Sequence, residues 1–177
     1  GEILDEIHPA ELDHLVAYLT TLRERRVGTI APSRPTAGAV DRRVKATAEP
    51  QNWFMYWGDY RATHYSGLRQ IDASNVRPLR AVWAFPMPGG SVLEATPIVV
   101  DGVMYFPGNF GRVYALDAAS GTAKWVYDPE VDGQWGRYAC CDAVNRGVAV
   151  FEGRVYVGAL DGYLHAVDAA TGRRIYK

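Results

Sequence analysis

Apolar and polar positions change rhythm twice along the chain. Leu12, Leu15, Val16, Leu19 and Leu22 fall on one stripe at helical spacing, and Arg23, Arg25 and Arg26 occupy the last turn. His8 sits at the N-cap, Pro9 at the first helical position and Glu11 in the first turn, while Ile7 and Leu12 have the spacing of a hydrophobic staple. Residues 1–26 therefore read as a capped amphipathic helix whose apolar stripe must dock on another surface. Residues 27–52 lose that periodicity and carry Pro32, Pro35 and Pro50 among Ala, Thr, Gly and Arg, which reads as a linker. From Trp53 onward, short alternating runs broken by Gly, Asp and Asn predict β-strands over 53–177.

The β region contains an internal repeat. Laying Ile98–Val126 on Ala149–Lys177 needs no gap and matches Val99/Val150, Gly102/Gly153, Tyr105/Tyr156, Gly111/Gly162, Ala115/Ala166, Asp117/Asp168, Ala118/Ala169, Ala119/Ala170 and Gly121/Gly172. Asp101-Gly102 and Glu152-Gly153 suit tight hairpin turns, because the positive φ they require is cheap for Gly. Each unit then reads as a small antiparallel sheet. Trp125 stands four positions after Gly121, and Tyr176 takes the equivalent place after Gly172. A ring fixed there can cover the turn of a neighbouring unit. Asn75 to Trp83 has the look of the tail of another copy.

Four short strands repeating at about fifty residues are the pattern of a β-propeller blade, and propellers hold roughly four to eight blades. The expected fold is all-β: a partial propeller of about two to three blades, preceded by a helix and a linker. Such a run cannot close a ring, so the chain is expected to be a fragment of a longer polypeptide or a subunit completed by another chain.

With 19 Lys and Arg against 20 Asp and Glu among 177 residues, the net charge of −1 gives no electrostatic basis for a nucleic-acid partner. No apolar run approaches the roughly 20 residues of a spanning helix, so no membrane span is expected. No basic-then-apolar leader opens the sequence. His8, His14, His64 and His165 show no ligand spacing and read as structural or exposed.

Cys140-Cys141 is the most informative dipeptide. Adjacent Cα atoms lie ~3.8 Å apart, below the usual disulfide range of about 4.4 to 6.8 Å. Two reduced cysteines are one reading and a strained ring another. Zinc ligation lacks both spacing and further cysteines, and no CxxCH haem attachment motif is present. Asp142, Asn145 and Arg146 follow immediately, in the connection between the repeat units, where propeller sites are built.

Tyr138-Ala139-Cys140-Cys141-Asp142-Ala143-Val144-Asn145-Arg146-Gly147-Val148-Ala149 resembles the vicinal-disulfide segment of the pyrroloquinoline quinone (PQQ) dependent alcohol dehydrogenases of the methanol and ethanol dehydrogenase type. Trp57-Gly58-Asp59-Tyr60 with Tyr65-Ser66-Gly67-Leu68-Arg69-Gln70-Ile71 is similar to that family's opening block, with His64 and Gly67 in place of Arg and Pro. Glu94 to Tyr105 matches a further block. The resemblance covers residues 53–177 and implies an eight-bladed parent propeller. It further implies that Cys140 and Cys141 form a disulfide covering one face of the quinone, that Arg146 reaches the cofactor's oxygens, and that Glu94 is among its polar contacts. An acid beside an anionic cofactor is repelled, so Glu94 is expected to share a proton or to contact Arg146. A surface pair between Arg146 and Asp142 is the competing arrangement.

The implied chemistry is oxidation of a primary alcohol to an aldehyde by hydride transfer to PQQ, polarised by a calcium or lanthanide ion. The family's metal ligands and base lie further along, so no catalytic or metal residue is assigned here. A small alcohol is the implied substrate, a cytochrome c the implied electron acceptor, the remaining blades the implied partner and the periplasm the implied compartment. His8 to Leu22 resembles the closing helix of a c-type cytochrome domain, implying haem c ahead of the propeller. The alternative is a non-catalytic PQQ-like repeat propeller serving as a binding or assembly scaffold, which would not need Cys140-Cys141 or Arg146. A sugar or polymeric-alcohol oxidase of the same quinone type would share all of these residues.

Overall fold

In the computed structural model, residues 49–177 are described except Tyr60 and residues 89–91. The helix expected over 1–26 and the linker up to residue 48 lie outside the described residues. The remainder forms two four-stranded antiparallel sheets with neighbours in sequence order. Blade 1 comprises β1 (Ile98–Val100), β2 (Val103–Pro107), β3 (Val113–Asp117) and β4 (Ala123–Tyr127). Blade 2 comprises β5 (Ala149–Phe151), β6 (Arg154–Gly158), β7 (Leu164–Asp168) and β8 (Arg174–Tyr176). The repeat holds down to its irregularities. The register slips between Ala115 and Leu116 in blade 1 and between Ala166 and Val167, the same position, in blade 2.

Turn chemistry sets the hairpins. Asp101 and Gly102 have φ of 52° and 76°, and Glu152 and Gly153 have 47° and 71°. Two consecutive positive φ values make the type I′ turn, whose twist matches the strands it joins. At the opposite end of each sheet, Asp117 Oδ1 accepts from the backbone N–H of Ser120 at 2.9 Å, and Asp168 Oδ1 from that of Thr171 at 2.8 Å. The Ser120 N–H and then its hydroxyl hold Asp117 below the usual carboxyl range, and the Thr171 hydroxyl, at 2.7 Å, and then its N–H do the same for Asp168.

The core is the seam between blades. Ile98, Tyr105, Val113, Ala115 and Tyr127 of blade 1 meet Val155, Val157 and Val167 of blade 2. Fully burying each valine contributes roughly 1.5–3 kcal/mol. The opposite face of blade 1 presents Phe106, Tyr114 and Leu116 to Trp83, Phe85 and Met87. The expected covering rings are in place. A Cβ added to Gly172 would fall 2.7 Å from the Trp125 ring, and one added to Gly121 would fall 2.5 Å from Trp83. Trp125 Nε1 also donates to the Ala169 carbonyl at 3.0 Å, and the Tyr105 hydroxyl reaches the same oxygen at 3.2 Å. Trp83 thus behaves as the last ring of a preceding unit, although residues 71–88 form no strand. Residues 50–53 lie against blade 1: Trp53 exchanges backbone bonds with Val99 at 2.8 and 2.9 Å, and Asn52 Oδ1 accepts from the Asp101 N–H at 2.8 Å.

Candidate functional site

The hairpin order places one set of connections at one end of both blades. Ile98 pairs with Tyr105 near the end of β2, so the approach to β1, the β2–β3 turn and the exit of β4 share that end of blade 1. The approach to β5 and the β6–β7 turn share the corresponding end of blade 2. Glu94 lies on the first of these connections. Cys140, Cys141 and Arg146 lie on the long one, residues 128–148, that runs from blade 1 to blade 2.

That connection is tied down in single copies rather than by the repeat. Asp132 caps the 3-10 turn Gly133–Tyr138 by accepting from the Gln134 N–H at 2.9 Å. The Phe110 N–H donates to the Ala143 carbonyl at 2.9 Å, and Gly136 lies against the Phe110 ring. Phe110 adopts a left-handed φ of 58°, which turns its N–H toward the connection. Asn145 donates from Nδ2 to the Gly158 carbonyl at 2.7 Å and accepts at Oδ1 from the Gly147 N–H at 3.2 Å. The Arg146 carbonyl accepts from the Thr96 N–H at 3.1 Å, joining the two approaches.

Glu94 and Arg146 are brought together by this arrangement. Arg146 Nη2 lies 2.8 Å from Glu94 Oε2, with the guanidinium side chain 64% exposed and the acid 37% exposed. The expected contact of Glu94 with Arg146 is therefore present. Cys140 and Cys141 are free thiols, both exposed, with their sulfurs 2.7 Å apart. Asp142, next in the chain, takes φ of 70° and accepts at Oδ1 from the Ala143 N–H at 2.6 Å. Contact with the Cys141 sulfur, then the Glu94 carboxylate, raises the Arg146 pKa further above its already high value. The Cys140 thiol is also pushed up, chiefly by its bond to Cys141, then by the charge that Cys141 would carry. A guanidinium cation on the same connection as two contiguous exposed sulfurs can meet a flat, anionic, oxygen-rich ring from one side.

Of the four histidines, His8 and His14 lie outside the described residues. His64 is exposed. His165 is fully buried, with Nδ1 hydrogen-bonded to the Tyr127 hydroxyl at 2.7 Å across the seam. Among the described residues no cluster of three or more His, Cys, Asp or Glu side chains is arranged to hold a metal ion, and no helix is long and apolar enough to cross a membrane. Thr96 and Asn145 are contributors that motif reading left without a role. In the sequence Asn145 stands out only for following the cysteine pair and Thr96 only for falling inside the Glu94–Tyr105 block; neither position announces its bond.

Two consecutive repeat-related sheets packed face to face, with the sulfur pair and the arginine at one end, are arranged as adjacent blades of a β-propeller. The chain belongs to the family described as "PQQ: Glucose/ethanol/alcohol dehydrogenase, beta-propeller domain", which matches residues 53–177. It is 48% identical over 163 residues to the quinohemoprotein alcohol dehydrogenase ADH-IIG of Pseudomonas putida, covering 91% of this chain and 22% of that protein. It is 50% identical over 125 residues to the 1-butanol dehydrogenase (cytochrome c) of Thauera butanivorans, covering 71% of this chain and 18% of that one. The solved structure of the Pseudomonas putida enzyme superposes with a TM-score of 0.74 at 51% identity, over 77% of this chain and 20% of that chain. A europium-containing methanol dehydrogenase gives a TM-score of 0.71 at 38% identity, over 77% of this chain and 24% of that chain. The chain thus spans about a fifth of the length of the curated relatives it matches.

Proposed function

We propose that these blades form one wall of the quinone site of a PQQ-dependent alcohol dehydrogenase that oxidises a primary alcohol to an aldehyde. The observation that carries the reading is the 2.8 Å pair of Arg146 with Glu94, which joins the Glu94 connection to the one that carries the exposed sulfur pair at the same end of both blades. The residues fit the group: the sulfurs offer a compact ridge for a flat ring, and the guanidinium is a rigid planar donor suited to carboxylate or quinone oxygens. The bound quinone supplies the hydride acceptor. Arg146 orients it and counters its negative charge. Glu94, in turn, pairs with the Arg146 guanidinium.

We further infer that Cys140 and Cys141 are joined in the working protein. Closing the bond releases two protons and passes two electrons to an external disulfide-type oxidant, and such oxidants act in oxidising compartments such as the periplasm, the compartment this reading calls for. The relatives' names support an alcohol as substrate and a cytochrome c haem as electron acceptor. A calcium or lanthanide ion would be held by residues of the remaining blades of an eight-bladed ring. Intact mass after alkylation, with and without reductant, tests the disulfide, and titration of PQQ into the protein carrying its remaining blades tests the site. Alkylation only after reduction, together with saturable quinone binding weakened roughly tenfold in Arg146→Ala, is expected. Alkylation of both cysteines without reductant and no quinone binding would leave a non-catalytic scaffold.

A further inference from the structure

We propose that Asn145 is the positioning residue for Arg146, a role that rests on the quinone reading above. Arg146 has a long, largely exposed side chain, and its pair with Glu94 is open to solvent on both partners. Such pairs hold geometry weakly because they must overcome side-chain entropy. What fixes the base of Arg146 is its backbone, and the backbone is clamped on both sides. Ahead of it, the Asn145 carboxamide donates to the Gly158 carbonyl at the end of β6 while accepting from Gly147. Behind it, the Arg146 carbonyl accepts from Thr96 on the Glu94 connection.

The Asn145–Gly147 bond alone would be an ordinary local turn. The bond to Gly158 is different, since it ties the connection to the end of blade 2. A blade 1 turn adjoins the same amide: a Cβ on Gly111 would come within 3.7 Å of Nδ2 and 3.4 Å of Ala159. Gly111, at φ +79°, therefore gives both neighbours room. The repeat sharpens the assignment, because Asn145 occupies in blade 2 the place that Glu94 occupies in blade 1. One blade places an acid there that meets Arg146. The next places an amide that anchors the loop from which Arg146 projects.

The test is a double-mutant cycle on quinone affinity, read by absorbance titration of PQQ into the cofactor-free intact protein. Asn145→Ala is expected to weaken binding roughly five- to tenfold, the value of one good hydrogen bond. In an Arg146→Ala background the same change should cost almost nothing, because Asn145 acts through Arg146. Asn145→Asp keeps the acceptor for Gly147 but sets an oxygen against the Gly158 carbonyl, and should lose at least as much affinity as Asn145→Ala. Additive losses in the cycle, or wild-type affinity in Asn145→Asp, would overturn the proposal while leaving the quinone site intact. If Asn145→Ala fails to fold, Asn145→Ser carries the same cycle, and if Arg146→Ala fails, Arg146→Gln takes its corner. Failure of the unmutated protein to bind PQQ would instead sink the reading on which the proposal rests.

Discussion

The two seams of this chain follow one plan with different chemistry. Where Phe85 meets Tyr114 the contact is ring against ring, edge-on, with centroids 5.7 Å apart. One seam further on, Tyr127 meets His165 in the place the repeat gives to Tyr114, with centroids 5.9 Å apart and a 2.7 Å hydrogen bond between them. Above each pair a tryptophan covers a glycine turn, Trp83 over Gly121 and Trp125 over Gly172. Geometry is thus carried by ring and glycine, and the pair beneath is free to become polar. Its polarity has a consequence, because His165 Nε2 is buried without a hydrogen-bond partner among the described residues.

The largest break in this likeness should come from Trp125→Ala, which removes both the ring over Gly172 and the bond to Ala169. A loss of about 3 kcal/mol or more is expected in urea unfolding of the intact protein. Next comes Gly172→Ala, where a methyl would collide with the Trp125 ring at a positive φ. A loss of about 2–4 kcal/mol is expected, against about 1–2 kcal/mol for Gly153→Ala, where φ is the same but nothing lies within 4 Å. Equal losses at the two glycines would mean that the ring contact contributes nothing.

The polar seam should also respond to acid. Burial lowers the His165 pKa, opposed by Asp161 and reinforced by Lys177 and Arg174. The facing Tyr127 hydroxyl has its own pKa raised by burial, against the pull of Arg174 and with Glu130 and Asp128 adding to it. The unfolded chain takes up a proton below about pH 6.5 that the folded chain refuses until lower pH. Stability should therefore fall as pH drops below that value, by at most about 1.4 kcal/mol per pH unit from this one group. The double variant Tyr127→Phe/His165→Phe, which makes the second seam apolar like the first, should flatten that part of the profile measured by thermal unfolding. The smallest effect belongs to Arg112→Gln. Its Nε donates to Asp128 Oδ2 at 3.0 Å on the surface, so less than about 1 kcal/mol is expected in the same assay.

What was legible in the sequence is what the repeat carries. Asp101-Gly102 and Glu152-Gly153 announced their hairpins because the required φ is written in the residue types, and the spacing from Gly121 to Trp125 marked the ring that covers the next turn. At the site, the family resemblance set Glu94 and Arg146 around one anionic cofactor, and repulsion of the acid left either a shared proton or contact with Arg146. The Phe110–Ala143 and Asn145–Gly158 bonds could not be read in this way, since the connection over 128–148 has no second copy here and its contacts arise only once two blades lie side by side. Nor did spacing show that His165 would be buried against Tyr127. Its place on β7 was readable, but the neighbour arrives from the other sheet.

The ring-over-glycine contact has a direction: each blade reaches forward with an aromatic and offers a bare turn to the blade behind. A series of such units behaves like hooks and eyes, with Tyr176 as the outgoing hook of this stretch. Unlike surfaces that meet head to tail can close only as a circle, and otherwise continue from molecule to molecule as a filament. Both eyes of this stretch, at Gly121 and Gly172, are already taken by Trp83 and Trp125, so Tyr176 is the hook whose eye must come from a further blade rather than from a second copy of these two.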